Sequence, residues 1–255
     1  MADFRLRREE VLDGERLKAM LDESPARAAQ AILLAAGEGV LDAQALLGQI
    51  LLDGQGIARD PLLALRWFDI AARRGHPMAR NMLGRCHEHG WGCVADARVA
   101  ARHYRLAAEA GLDWGMYNYA NLLATGRGVA EDQAQALSLY RRAAESGHAK
   151  SMNLLGRYLE DGRYCPADPV TAVEWYRRSA EGGDFRGQFS YGCVLLAEAR
   201  IEEGLSWLRQ ALEAGNPNFL RVATDTLRHV RLPGLEPLVA AYQARTAVLE
   251  TSVPS

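Results

Sequence analysis

Residues Gly115–Lys150 read GMYNYANLLATGRGVAEDQAQALSLYRRAAESGHAK, and the pattern of this stretch returns on both sides of it at an unchanged spacing. A small residue in the middle of its first helical segment falls at Gly48, Gly84, Ala120, Gly156 and Gly192, each 36 positions after the last. A glycine that closes the segment recurs at Gly54, Gly90, Gly126 and Gly162, an acidic residue at Asp60, Asp96, Asp132 and Asp168, and an alanine at Ala64, Ala100, Ala136 and Ala172. Gly75, Gly111, Gly147 and Gly183 close the second segments. A fixed period of this length marks a repeat architecture, in which each unit buries its apolar face on its neighbours.

One unit, Ala43 to Met78, shows what is repeated. Leu46, Leu47, Ile50 and Leu51 have the spacing of a helical face, and Gly54 and Gly56 then end that helix. A second helix starts after Asp60, with Pro61 at a position where proline is tolerated, and runs to Gly75. The unit is a helix-turn-helix hairpin, and the fold class is all-α, a solenoid of about five such units. In the fourth, Tyr164 replaces the second turn glycine and Cys165-Pro166 follows, so its turn must differ locally. In the fifth, Gly192 to Trp207 spans four residues fewer than Gly156 to Trp175, which shortens the turn between its helices.

The ends lose the period. Residues 1–42 are expected to form N-terminal capping helices, broken near Ser24-Pro25, the second being half of a worn repeat that ends at Ala35-Ala36 and Gly39. The repeats occupy 43–216, and 217–255 are expected to form capping helices, 218–230 and 234–250, split by Pro233-Gly234, with a disordered tail from Thr251 to Ser255.

Composition excludes several classes. A net charge of −2 gives no electrostatic footprint for nucleic acid, whose non-specific binding comes from phosphate neutralisation. No run of about 18 apolar residues is present to span a membrane, and the start of the chain has no signal-peptide core, so the expected location is the cytoplasm. Cys86, Cys93, Cys165 and Cys193 do not recur at matching repeat positions and are expected to be reduced thiols.

The run Ala79-x3-Leu83-Gly84, Gly90-x-Gly92, Val94, Asp96, Ala100, Tyr104, Ala107-Ala108, Gly111 resembles the Sel-one-like repeat (SLR) family, relatives of tetratricopeptide repeats. The next unit fits as well, with Gly126-x-Gly128-Val129, Asp132, Ala136, Tyr140, Ala143-Ala144 and Gly147, and the likeness covers about residues 29–216. The resemblance implies a right-handed superhelix of antiparallel helix pairs, first helices lining its concave side, used as an adaptor or scaffold in protein complexes. It implies no chemistry and no cofactor.

No motif contradicts a non-catalytic reading. Gly54-x-Gly56 and its copies lack the third glycine of a dinucleotide site and the Lys-Ser/Thr of a phosphate loop, and there is no HExxH or GxSxG. Cys86, His89 and Cys93 are the one cluster with metal-ligand residue types, and an alternative reading makes them a thiolate and imidazole site in a metal sensor or cryptic enzyme. Trp67, Trp175 and Trp207 recur at one helix position and read as packing, whereas Trp91 and Trp114 fall in turns outside the pattern.

The binding surface follows from the helical angle. Numbering each first helix from Ala43, Ala79, Gly115, Ser151 and Gly187, positions 1, 5 and 9 lie within roughly 80° of arc and face the core. Positions 3, 7 and 10 lie near the opposite side, and there the units differ. The expected partner-binding stripe therefore comprises Asn81, Arg85, Tyr117, Asn121, Asn153, Arg157 and Phe189, with the rings as anchors and the arginines reading carboxylates of an acidic peptide or protein. The chain itself is expected to be a monomer or weak dimer.

Overall fold

A computed structural model describes residues 23–230, 232 and 234–251. The helical pattern expected between residues 4 and 22, Pro233 and the tail beyond Thr251 lie outside the described residues. Among the described residues there are thirteen helices and no strands. The first, α1 (Pro25–Gly37), is followed by three hairpins: α2 (Leu41–Asp53) with α3 (Pro61–Arg73), α4 (Pro77–His89) with α5 (Ala97–Glu109), and α6 (Asp113–Thr125) with α7 (Gln133–Glu145). Then come α8 (Ala149–Asp161) with α9 (Pro169–Glu181), α10 (Phe185–Ala197) with α11 (Ile201–Ala214), and the closing helices α12 (Pro217–His229) and α13 (Glu236–Thr251). The chain divides into two compact units, with the boundary between Ala136 and Leu137.

The recurrent residues have recurrent jobs. The second helices of the first four hairpins each open on an aspartate whose side chain accepts from the backbone of its own first turn: Asp60 from Leu63 N (2.9 Å), Asp96 from Arg98 N and Val99 N (2.8 and 3.1 Å), Asp132 from Gln135 N (2.8 Å) and Asp168 from Thr171 N (3.0 Å). The same aspartates donate their own N–H back to the first helix of the hairpin, at Leu51, His87, Leu123 and Leu159 carbonyls, at 2.8 to 3.0 Å. One residue thus starts the second helix and fixes the turn that delivers it.

These hydrogen bonds hold the carboxyls of Asp96 and Asp168 below the usual aspartate range, through the N–H groups of Val99 and Arg98 in the first case and the hydroxyl and N–H of Thr171 in the second. Their stabilisation is complete at neutral pH and is lost as pH falls through the lowered values. An Asp96→Asn/Asp168→Asn variant keeps an accepting oxygen without the titration. It is expected to show a shallower loss of melting temperature than the parent chain below about pH 4; identical acid limbs would deny these caps a part in stability.

The small residue in each first helix is explained by a ring. A Cβ placed on Gly48 would stand 2.6 Å from Phe68, one on Gly84 2.5 Å from Tyr104, and one on Gly156 2.6 Å from Tyr176. Each ring of the second helix lies flat on the backbone of the first, and all three are at most 2% exposed. Burying such a ring removes roughly 150 to 250 Å² from water, about 4 kcal/mol or more before entropy is counted. Around Phe68 the core gathers Ile32, Leu47, Ile50 and Ala64, with Trp67 at its edge; around Tyr176 it gathers Leu155, Ala172 and Leu195, with Trp175 and Trp207 at its edge.

The fifth hairpin closes differently. Only residues 198–200 link α10 to α11, against 162–168 in the hairpin before it, and Ala199 takes a φ of +60° to make the shorter turn. Gly192 and Gly204 face each other where the two helices cross, each so near the other's carbonyl that a Cβ would come within 3.1 Å. Beyond it, Leu208, Leu220, Leu227, Leu238 and Tyr242 form a separate core under α12 and α13. Outside the five hairpins the described residues form α1 before them and α12 and α13 after them.

Candidate functional site

In the unit that ends at Ala136, the first helices α4 and α6 lie side by side. Arg85 is half-buried on α4, its guanidinium 5.0 Å over the ring of Trp91, which comes from the glycine turn after that helix. His89 leans on the same indole, with ring centroids 4.7 Å apart. On α6, Trp114 and Tyr117 meet edge to face at 6.2 Å, and Asn121 occupies the place of Arg85 one period later. Arg85 forms no ion pair among the described residues, so its charge stands beside two aromatic groups without a carboxylate to neutralise it. Arg157, at the same repeat position in the other compact unit, is exposed and likewise without an ion pair among the described residues.

Three residues of the expected stripe are placed elsewhere. Asn81 and Asn153 are each 2% exposed. The Asn81 side-chain oxygen accepts from Asn118 Nδ2 at 2.8 Å and that of Asn153 from Ser190 Oγ at 3.0 Å, so the third position carries a polar tie to the next first helix and is closed to a ligand. Phe189 packs on Phe219 (5.6 Å, 89°) and Tyr242 (6.4 Å), which makes it the seat of α12 and α13 in place of an anchor for a partner. Helical angle alone did not separate a face turned to solvent from a face turned to the neighbouring repeat.

The tenth position is not free either. Glu88 accepts from the Tyr104 hydroxyl at 2.5 Å and forms an ion pair with Arg127 in the next glycine turn; Glu160 accepts from the Tyr176 hydroxyl at 2.6 Å. Where the ring is Phe68, which has no hydroxyl, the tenth residue is Leu52. In these three hairpins the tenth residue changes with the ring it meets, whereas the third hairpin sets Ala124 with Tyr140. Burial pushes the Tyr104 and Tyr176 phenols up, and the Glu160 carboxylate adds to this at Tyr176, so both stay protonated donors. Sequence reasoning took the variation as freedom; at Glu88 and Glu160 it is a hydrogen bond to the ring of the same hairpin.

Cys86, His89 and Cys93 do not converge. Cys86 is fully buried and its thiol is pushed up to about 12, first by that burial and then by Cys93 beside it. Cys93 Sγ stands 3.5 Å from His87 Nδ1, the imidazole two residues away from the one expected, and His87 stacks on His103 with centroids at 5.6 Å and planes 2° apart. Among the described residues no group of three or more His, Cys, Asp and Glu side chains is arranged to hold a metal ion.

The Sel1 repeat pattern matches residues 41–76, 77–112, 115–148, 149–184 and 200–216, more than half of the chain. The chain belongs to the Sel1 repeat family. Sel1 repeat proteins act as protein-interaction scaffolds, on a fold that is not a catalytic one. Among solved structures, a Sel1 repeat protein from Oxalobacter formigenes is 26% identical with a TM-score of 0.75, over 94% of this chain and 99% of that one. The protective antigen c5321 of uropathogenic Escherichia coli strains, which displays an SLR fold, is 26% identical with a TM-score of 0.67, over 92% of this chain and 52% of that one. Immunity protein Pa5087 from Pseudomonas aeruginosa shares the fold at 16% identity and a TM-score of 0.54, over 84% of this chain and 80% of that one. No curated protein matches the sequence. Among the described residues of this Sel1 repeat chain, no helix is long and apolar enough to cross a membrane.

Proposed function

We propose that this Sel1 repeat chain is a cytoplasmic, non-catalytic adaptor that binds an acidic segment of a protein partner on the first-helix face of α4 and α6. The observation that supports this is the Arg85 guanidinium held over Trp91 with no carboxylate paired to it among the described residues. A planar fork so held has lost part of its rotamer freedom before any ligand arrives, and it matches a carboxylate with two parallel N–H donors. Trp114 and Tyr117 supply rings on the neighbouring first helix, the residue types that carry most binding energy at protein interfaces. Asn121 adds an amide at the next repeat, and Arg157 offers the same reading in the other compact unit.

The test is a comparison of the parent chain with an Arg85→Glu/Arg157→Glu/Tyr117→Ala variant. Proteins captured from the native host by the parent chain are identified, and the affinity of the bound segment is measured for both. The variant is expected to keep its helicity and to melt within a few degrees of the parent, since none of the three side chains is buried, while affinity falls by about a hundredfold. Undiminished affinity would move the interaction away from this face.

A further inference from the structure

The second and third hairpins depart from the others at positions that meet at one groove. On α5, Ala101 stands where the other second helices carry Leu65, Leu137 and Val173, and Arg98 stands where they carry Leu62, Ala134 and Val170. On α6, Tyr119 replaces the leucine found at Leu47, Leu83 and Leu155. The small residue on α5 leaves a groove of about 300 Å³, walled by Arg98, Arg102 and Arg105, with Tyr119 on the opposite side and the Gly128-Val129 turn at one end. At 100° per residue the three arginines fall within about 60° of arc, so their side chains rise from one strip of the helix.

The cations of this strip are incompletely neutralised. Arg105 reaches Glu109 at a loose 3.7 Å, and the nearest acid to Arg98 in sequence, Asp96, already accepts two backbone N–H groups as the cap of α5. Arg102 forms no ion pair, and the Tyr119 hydroxyl no hydrogen bond, among the described residues. We propose that this groove binds a phosphorylated side chain on a partner protein. A carboxylate has two oxygens and is satisfied by a single guanidinium fork, whereas a phosphate monoester presents three terminal oxygens and close to two charges. Two forks and a phenol can engage all three. Phosphate recognition by clustered arginines is a recurrent mode of peptide binding. The groove takes its arginines from α5 and from α6 only Tyr119, two residues and so about 200° of helical turn from both Tyr117 and Asn121; it is distinct from the proposed face on α4 and α6 and stands or falls independently of it.

The probe is a glycine pentapeptide with a central phosphoserine, titrated against the whole chain while the arginine Nε–H resonances are followed by NMR. Controls at matched ionic strength are the same peptide with glutamate and inorganic phosphate alone. Saturable shifts are expected at Arg98 and Arg102, with affinity about tenfold or more above that of either control. Arg98→Gln/Arg102→Gln is expected to remove them, while Arg66→Gln, the same repeat position as Arg102 on α3, leaves them unchanged. All three residues are exposed, so the far-UV spectrum should be constant throughout. Equal affinity for the glutamate peptide, equal affinity for inorganic phosphate, or shifts that survive in the double variant would each overturn the proposal.

Discussion

Replacing Gly92 by alanine is expected to lower the free energy of unfolding by about 3 kcal/mol or more, while the same change at Gly111 costs about 1 kcal/mol. Both glycines hold a left-handed φ, +73° and +87°, so the conformational penalty is common to both. The surroundings differ. Nothing lies within 4 Å of a Cβ built on Gly111, but one on Gly92 would stand 2.2 Å from the carbonyl oxygen of Pro61 and 2.6 Å from its carbon. Those atoms belong to the first residue of α3, which is held by the Asp60 cap and cannot give way as a flexible side chain would. The added methyl has to separate the glycine turn from the helix beneath it. Paired urea titrations of the two variants check this; equal losses would mean that conformational strain alone accounts for the glycine.

The second large effect is expected at Tyr242→Ala, a loss of about 3 to 5 kcal/mol, of which Tyr242→Phe should reproduce about 1. Tyr242 is completely buried on α13, among Leu208, Leu220, Leu227 and Leu238, and its hydroxyl donates to the Leu208 carbonyl at 2.7 Å. Truncation leaves a cavity and an unpaired carbonyl at once. Because this core is shared by α12, α13 and the Phe189 ring, the loss should come with faster amide exchange throughout both closing helices. A change confined to α13 would show that α12 is held by other contacts.

The hairpins were legible because their punctuation is written in residue types with few alternatives. A glycine or, at Ala120, the smallest side chain stands where a ring of the second helix meets the first, as at Gly84, and an aspartate stands where the cap of the second helix also returns its N–H to the first, as at Asp96. The shortened fifth turn could likewise be counted from the sequence. The binding face was legible only in part. Arg85 leans on Trp91 and Tyr117 meets Trp114, but Asn81 and Asn153 occupy the seam between neighbouring first helices, and Phe189 lies under the closing helices. Periodicity within a helix defines angles about its own axis. It does not say which neighbour covers each angle, and that depends on contacts between residues 36 or more apart. The arginine groove on α5 escaped for the converse reason: its signal is a missing side chain at Ala101, and an alanine in an alanine-rich helix attracts no notice.

The seating of one glycine turn on the helix start before it also bears on how such an array can lengthen or shorten in evolution. Gly56 rests on Pro25, Gly92 on Pro61 and Gly128 on Ala97, so each of the first three hairpins carries, in its own turn, the part that closes over its predecessor. The hairpin of α10 and α11 has lost that part, and Val170, the residue after the first of α9, is left 83% exposed. A duplicated copy of the second or third hairpin brings its own closing turn and, set after one of the first three hairpins, finds a helix start to receive it. The hairpin of α10 and α11 has no such turn, so a copy of it placed downstream is expected to leave the helix start before it uncovered.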